Sequence, residues 1–236
     1  MSVNTRNSTL VILFAALAVV LTPFIIGTTQ SLSQTKPQTA IGFIGDSITV
    51  GADGSHNAVQ NEIADLGPHY RAVNRGISGT KTSDWTVDNR NFTDAAMIFQ
   101  SEGVHVVSLM LGTNDAINAY SVVSPEEYAS NIKSTIYGLL DRGVDKVIVN
   151  YPPFITPGIV TKDTIESSKQ AFLDYRTQLD TITTGNARIV RGDTGSYDYF
   201  EHHLNELVDG VHPNDKGYQS LGKLWADAYE HLFPQS

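Results

Sequence analysis

Val104-His105-Val106-Val107-Ser108-Leu109-Met110-Leu111, closed by Gly112-Thr113-Asn114-Asp115, is the stretch on which the fold turns. An apolar run of this length without alternation suits a strand buried on both faces, the habit of parallel sheets covered by helices. Four shorter runs resemble it. Ile41–Ile44 stops at Gly45, Arg71–Asn74 stops before Gly76, Lys146–Asn150 stops at Pro152, and Arg188–Val190 stops at Gly192. Helical patterns lie between them. Tyr128, Ile132, Ile136 and Leu139 share one face of a helix starting at Pro125, with Ser124 placed as its N-cap. Ile165, Phe172, Tyr175, Leu179 and Ile182 mark another. Tyr218, Leu221, Leu224, Trp225, Ala228 and Leu232 mark a last helix capped by Asn214. Asn57–Leu66 and Asn91–Gln100 read as two further helices. The alternation predicts an α/β domain whose parallel sheet has helices on both faces. In such sheets the chemistry lies just beyond the C-terminal ends of the strands.

The segment before the first strand reads differently. Leu10–Ile26 is apolar apart from Thr22 and Pro23, is preceded by Arg6, and is followed by a Ser/Thr/Gln-rich stretch. This predicts a signal peptide or N-terminal membrane anchor over residues 1–27, a linker over 28–39, and a folded domain over 40–236. The domain is therefore expected to be exported, either secreted or held at the outer face of the cytoplasmic membrane. Only that N-terminal segment is expected to touch lipid. The chain carries 16 Lys and Arg against 25 Asp and Glu. Its first forty residues hold only Arg6 and Lys36, so the remainder is more acidic than the whole. A domain of that charge is unsuited to neutralising nucleic-acid phosphates. With no cysteine, disulfides, Cys-ligated metals and a thiol nucleophile are excluded.

Four segments carry candidate chemistry. Gly45-Asp46-Ser47 follows the first strand. There a serine hydroxyl is exposed at the sheet edge, with its own N–H aimed at the oxygen of an attacked carbonyl. Taken alone, such a serine more commonly caps a helix, and Thr49 departs from the Gly-x-Ser-x-Gly elbow. After the second strand, Gly79 can bring a bare backbone N–H close to a ligand. After the third, the Asn114 amide can donate to an oxyanion, or close an ordinary Asx-turn. Near the C-terminus, Asp209-Gly210-Val211-His212-Pro213 sets a carboxylate and an imidazole three positions apart. One tight loop can then join them, with the carboxylate fixing the tautomer of the ring. Together the four supply nucleophile, oxyanion donors, base and orienter.

In order and spacing these segments resemble the blocks of the SGNH hydrolases, the GDSL-like lipase/acylhydrolase family, across residues 41 to about 232. Ile48 stands where the family usually has Leu. The resemblance implies a three-layer α/β/α, flavodoxin-like fold with a central five-stranded parallel sheet, and neither cofactor nor metal. It implies Ser47, Asp209 and His212 as catalytic residues, and Ser47 N–H, Gly79 N–H and Asn114 as the oxyanion hole. The expected activity is carboxylic-ester hydrolysis through an acyl-enzyme. Export, acidity and the lack of an apolar lid insertion point to short acyl groups, of acetyl type, on carbohydrate or small-molecule esters. A lysophospholipase- or thioesterase-type acylhydrolase and a non-catalytic carbohydrate-binding module at the cell surface are the competing readings.

Other residues carry less. Glu201, His202 and His203 with Asp209 and His212 hint at a metal, but adjacent histidines diverge on any regular element. Asp46 and Asp115 flank site residues and are read as supports. Trp85 either lines the cleft or anchors a helix.

Overall fold

The structure is a computed structural model describing residues 38–51, 58–117, 122–155 and 162–233. The apolar run at 10–26 lies outside the described residues. Five strands form one sheet: β1 Thr39–Gly45, β2 Tyr70–Asn74, β3 Val106–Met110, β4 Lys146–Val149 and β5 Ile189–Arg191. Every pairing is parallel, in the order β2-β1-β3-β4-β5. All five predicted runs are strands, and the expected three-layer α/β/α fold is present. The strand is shorter than the run at 104–111, and just before it begins Asp145 and Lys146 N–H both donate to the His105 carbonyl.

The helices are α1 Ser47–Val50, α2 Ala58–Leu66, α3 Arg90–Ser101, α4 Thr113–Ile117, α5 Pro125–Asp141, α6 Lys162–Ile182, α7 Ser196–His202 and α8 Asp215–Tyr229. The predicted caps are in place. The Ser124 side chain accepts from Glu127 N and that of Asn214 from Gly217 N. Successive residues of a strand point to opposite faces, which separates the two helical layers. A Cβ on Gly42 would fall 2.8 Å from the Phe99 ring of α3, so this glycine lets α3 lie directly on the sheet. Phe43 pairs with Ser108 on the other face, where the Ser108 hydroxyl meets Tyr229 of α8 at 2.8 Å. There α8 packs along α2, while α5 packs along α6. No described helix is long and apolar enough to cross a membrane.

The strand order decides where a site can form. The chain leaves β1 to one side to make β2, then crosses back to place β3 on the other. β1 and β3 therefore flank the switch point, where a crevice opens beyond their C-terminal ends. Ser47 follows β1 and Asn114 follows β3.

Glu62 of α2 is an exception to the burial logic. It is fully buried, and neither carboxyl oxygen has a hydrogen-bond partner among the described residues. Burial pushes its pKa well above the usual 4.5. The folded chain thus keeps this proton at pH values where the unfolded chain has lost it. Its contribution to stability must fall as pH rises above about 4.5. Glu62→Met, similar in volume and apolar, is expected to stabilise the domain by about 1–3 kcal/mol at pH 8 and by less at pH 4.5. Urea unfolding at the two pH values measures this, and no gain at pH 8 would refute it.

Candidate active site

At the end of β1, Asp46 turns the chain and caps α1, its Oδ1 accepting from Ile48 N at 3.0 Å. Ser47 is thereby the first residue of a four-residue helix at the sheet edge. Its Oγ lies 2.9 Å from Nε2 of His212, 165 residues further along the chain.

His212 is held by a small hairpin. Leu207 and Pro213 form an antiparallel bridge, and Val208 N donates to the His212 carbonyl at 2.8 Å. Inside the hairpin the Asp209 carboxylate accepts three times. Oδ1 takes Val211 N at 3.0 Å and His212 N at 2.8 Å; Oδ2 takes His212 Nδ1 at 2.7 Å. A carboxylate only accepts, so Nδ1 carries a proton, and in the neutral form of the ring the Nε2 lone pair faces the Ser47 hydroxyl. Partial burial works against the Asp209 charge, but the hydrogen bonds from His212 and Val211 outweigh it and hold the pKa below the usual 3.8. The hairpin is clipped to α8 from below. Asn214 N donates to the Glu206 carbonyl, and the Glu206 carboxylate accepts from Lys216 Nζ at 2.7 Å, Ser220 Oγ at 2.8 Å and Tyr199 Oη at 3.1 Å. Burial opposes this charge too, yet these partners keep the Glu206 pKa below its ordinary value.

The loop after β2 is fastened to the end of β1, with Ile77 N donating to Gly45 O at 3.0 Å. It continues into Gly79 at φ +78°. Beyond its chain neighbours, no atom of the described residues lies within 4 Å of where a Cβ would stand there, so the left-handed backbone, not crowding, demands glycine. Asn114, the second residue of α4, donates from Nδ2 to the Thr80 carbonyl at 2.9 Å. Its amide is thus fixed beside the Gly79–Thr80 segment.

Sequence reasoning singled out Asp115 and Trp85 without their partners, and missed Asn131. Trp85 is buried, and its indole N–H donates to Thr80 Oγ1 at 3.0 Å; it anchors the loop. The Asp115 carboxylate, also buried, accepts the Thr82 hydroxyl at 2.5 Å and the Thr82 N–H at 3.1 Å. Burial raises the Asp115 pKa, and the bonds from Thr82 restrain the rise. Asn131 of α5 donates to Thr82 Oγ1 at 3.1 Å. Nothing local in the sequence signals the two bonds to Thr82, which join residues 33 and 49 positions apart.

The predicted site residues thus fall at one end of the sheet. Ser47, His212 and Asp209 form a continuous hydrogen-bonded chain, and Asn114 is tied to the loop of Gly79. A hydroxyl facing a neutral imidazole backed by a carboxylate can be deprotonated as it attacks an electrophile. His202 and His203 do not join them. Their Nδ1 atoms meet the carbonyls of Asp198 and Tyr199, and among the described residues no cluster of three or more His, Asp or Glu is placed to hold a metal.

The sequence profile of the GDSL-like Lipase/Acylhydrolase family matches residues 43–220. The chain belongs to that family. This GDSL-like enzyme is accordingly a carboxylic-ester hydrolase. No curated protein matches it in sequence. Among solved structures it resembles the carbohydrate acetylesterase Est24 from Sinorhizobium meliloti, at 22% identity and TM-score 0.61, over 83% of this chain and 100% of that one. A catalytic mutant of Axe2, an acetylxylan esterase from Geobacillus stearothermophilus, matches at 20% identity and TM-score 0.61, over 86% and 99%. The M. smegmatis aryl esterase matches at 17% identity and TM-score 0.60, over 82% and 99%. At such identities the likeness of the GDSL-like hydrolase to these proteins concerns its fold.

Proposed function

We propose that this hydrolase cleaves esters of short acyl groups, of acetyl type, through an acyl-enzyme on Ser47. The observation that carries the reading is the chain of contacts from Ser47 Oγ to His212 Nε2 at 2.9 Å and from His212 Nδ1 to Asp209 Oδ2 at 2.7 Å. As Ser47 attacks the ester carbonyl, His212 takes the hydroxyl proton. The carbonyl oxygen becomes an oxyanion, received by Ser47 N–H, Gly79 N–H and Asn114 Nδ2. On collapse, His212 gives its proton to the departing alcohol. Water then attacks the acyl group, with its proton going to His212, and the acid leaves as Ser47 recovers its hydrogen. Asp209 holds the ring in the productive tautomer and offsets the imidazolium charge throughout.

Acetylated carbohydrate is the substrate class we assign within that chemistry. The acidic domain, the absence of an apolar insertion near the four segments, and the acetyl esterases among the similar structures support it. Residues 1–27 serve in this reading as signal peptide or membrane anchor, 28–39 as linker, and the domain acts outside the cytoplasm. A series of p-nitrophenyl esters of increasing chain length, run beside acetylated sugars, tests the assignment. The expected result is the highest kcat/KM at the two-carbon acyl group. A maximum at eight carbons or more would replace it with a lysophospholipase-type activity. A fluorophosphonate that fails to label Ser47 would remove the serine mechanism altogether.

Asn114→Ala tests the oxyanion assignment. Loss of one such donor is expected to lower kcat by about 10²–10³-fold while KM changes little. An unchanged kcat would strike Asn114 from the mechanism.

A further inference from the structure

The turns bearing Ser47 and Asn114 leave different strands, and a pair of side chains outside the machinery above stands between them. Asp46, the residue before Ser47, is fully buried, and so is Thr113, the residue before Asn114. One Asp46 oxygen is used in capping α1. The other, Oδ2, and the Thr113 hydroxyl are buried without completing a hydrogen bond. Yet the hydroxyl stands close enough to the carboxyl to draw its pKa down. β1 and β3 are paired through Gly45 and Met110, so two complementary buried polar atoms, each carried by the neighbour of a site residue, follow adjacent strand ends without a completed hydrogen bond. Hydrogen bonds in an unliganded site are commonly long and tighten only when the reacting group is bound.

We propose that Asp46 is a positioning residue that clamps the nucleophile's turn to the oxyanion amide's turn through the Thr113 hydroxyl. The clamp closes as the oxyanion engages Ser47 N–H and Asn114 together. The inference rests on the roles given above to Ser47 and Asn114.

The clamp works in either ionisation state. Burial, aided by the nearby Asp115 charge, pushes the Asp46 pKa up to about 6, against the pull of Ile48 N–H, Thr113 and His212. Tyr128 of α5, whose hydroxyl donates to the Leu111 carbonyl, also feels the Asp46 charge. Above that pH the carboxylate accepts from the Thr113 hydroxyl; below it the carboxyl can donate to the same oxygen. Geometry, more than charge, is therefore what Asp46 contributes.

The test is kcat per serine labelled by a fluorophosphonate at completion, so that only folded enzyme is counted, with KM and Tm measured alongside. Displacement of a reacting group by a fraction of an ångström to 1 Å costs up to about a hundredfold. Asp46→Ala and Thr113→Val are each expected to lower kcat about 10- to 100-fold with KM within about threefold, and the double variant is expected to be no worse than the worse single one. Asp46→Asn, which keeps the cap and offers an N–H to Thr113, and Thr113→Ser, which keeps the hydroxyl, are expected to restore kcat to within about threefold of the parent. Should Asp46→Ala fold poorly, Thr113→Val, which leaves the cap untouched, carries the test. Parental kcat per labelled serine in Thr113→Val, or equal losses in Asp46→Asn and Asp46→Ala, would overturn the clamp. Hydrolysis or labelling surviving in Ser47→Ala would instead overturn the reading on which it rests.

Discussion

Ser47→Ala is expected to lower kcat by about 10⁵–10⁶-fold, the largest effect of any single change in this chain. The loss is that large because the hydroxyl and the imidazole act as one unit. With Ser47 Oγ gone, the His212 lone pair has no proton to take, and no other hydroxyl is hydrogen-bonded to its Nε2 among the described residues. The oxyanion donors are left with a substrate they can bind but not acylate. His212→Ala should cost a similar factor, since a serine at its ordinary pKa is a poor nucleophile. The double variant should be little worse than either single one. Steady-state hydrolysis of p-nitrophenyl acetate, with circular dichroism to verify folding, measures all three. Activity within tenfold of the parent in Ser47→Ala would mean that the reaction runs elsewhere.

Asp209→Asn is the second large effect, with kcat expected to fall about 10³–10⁴-fold. The reason lies in the three bonds that Asp209 accepts. Both of its oxygens face donors, two backbone N–H groups on one side and His212 Nδ1 on the other. An amide can satisfy only one side as acceptor. If its oxygen keeps the backbone pair, its NH₂ meets Nδ1 and forces the ring proton onto Nε2, where it points at Ser47. If its oxygen turns to Nδ1, the backbone pair loses its acceptor and the hairpin loosens. Asp209→Ala imposes no wrong tautomer, so it should be no worse than Asp209→Asn. The comparison of kcat between these variants decides the matter; equal, near-parental rates would show that the carboxylate does not orient the ring.

The parts of this molecule that were legible beforehand share a physical cause. The strands are buried on both faces, so their residues are apolar in unbroken runs, and five such runs are five strands. Asp209 and His212 were legible as a pair because three positions of one hairpin join them. Ser124 and Asn214 were legible as caps for the same local reason. Short elements escaped. α1 and α4 have four and five residues, too few for a helical period to appear. The polar partners escaped as well: Asp115 with Thr82 and Asn131 with Thr82 are bonds made only after the fold has brought distant segments together. The burial of Glu62 carries no sequence signal either, for a glutamate within a helix is ordinary, and here it sits in the core with no hydrogen-bond partner among the described residues.

The hairpin that carries His212 is the last irregular segment before the final helix, whereas Ser47 lies at the end of the first strand. During synthesis the proposed nucleophile therefore emerges early, before the C-terminal end of the fold that carries its base has been made and docked. In the proposed mechanism, a nascent or truncated chain lacking that end holds an ordinary serine, unable to acylate itself on any ester it meets.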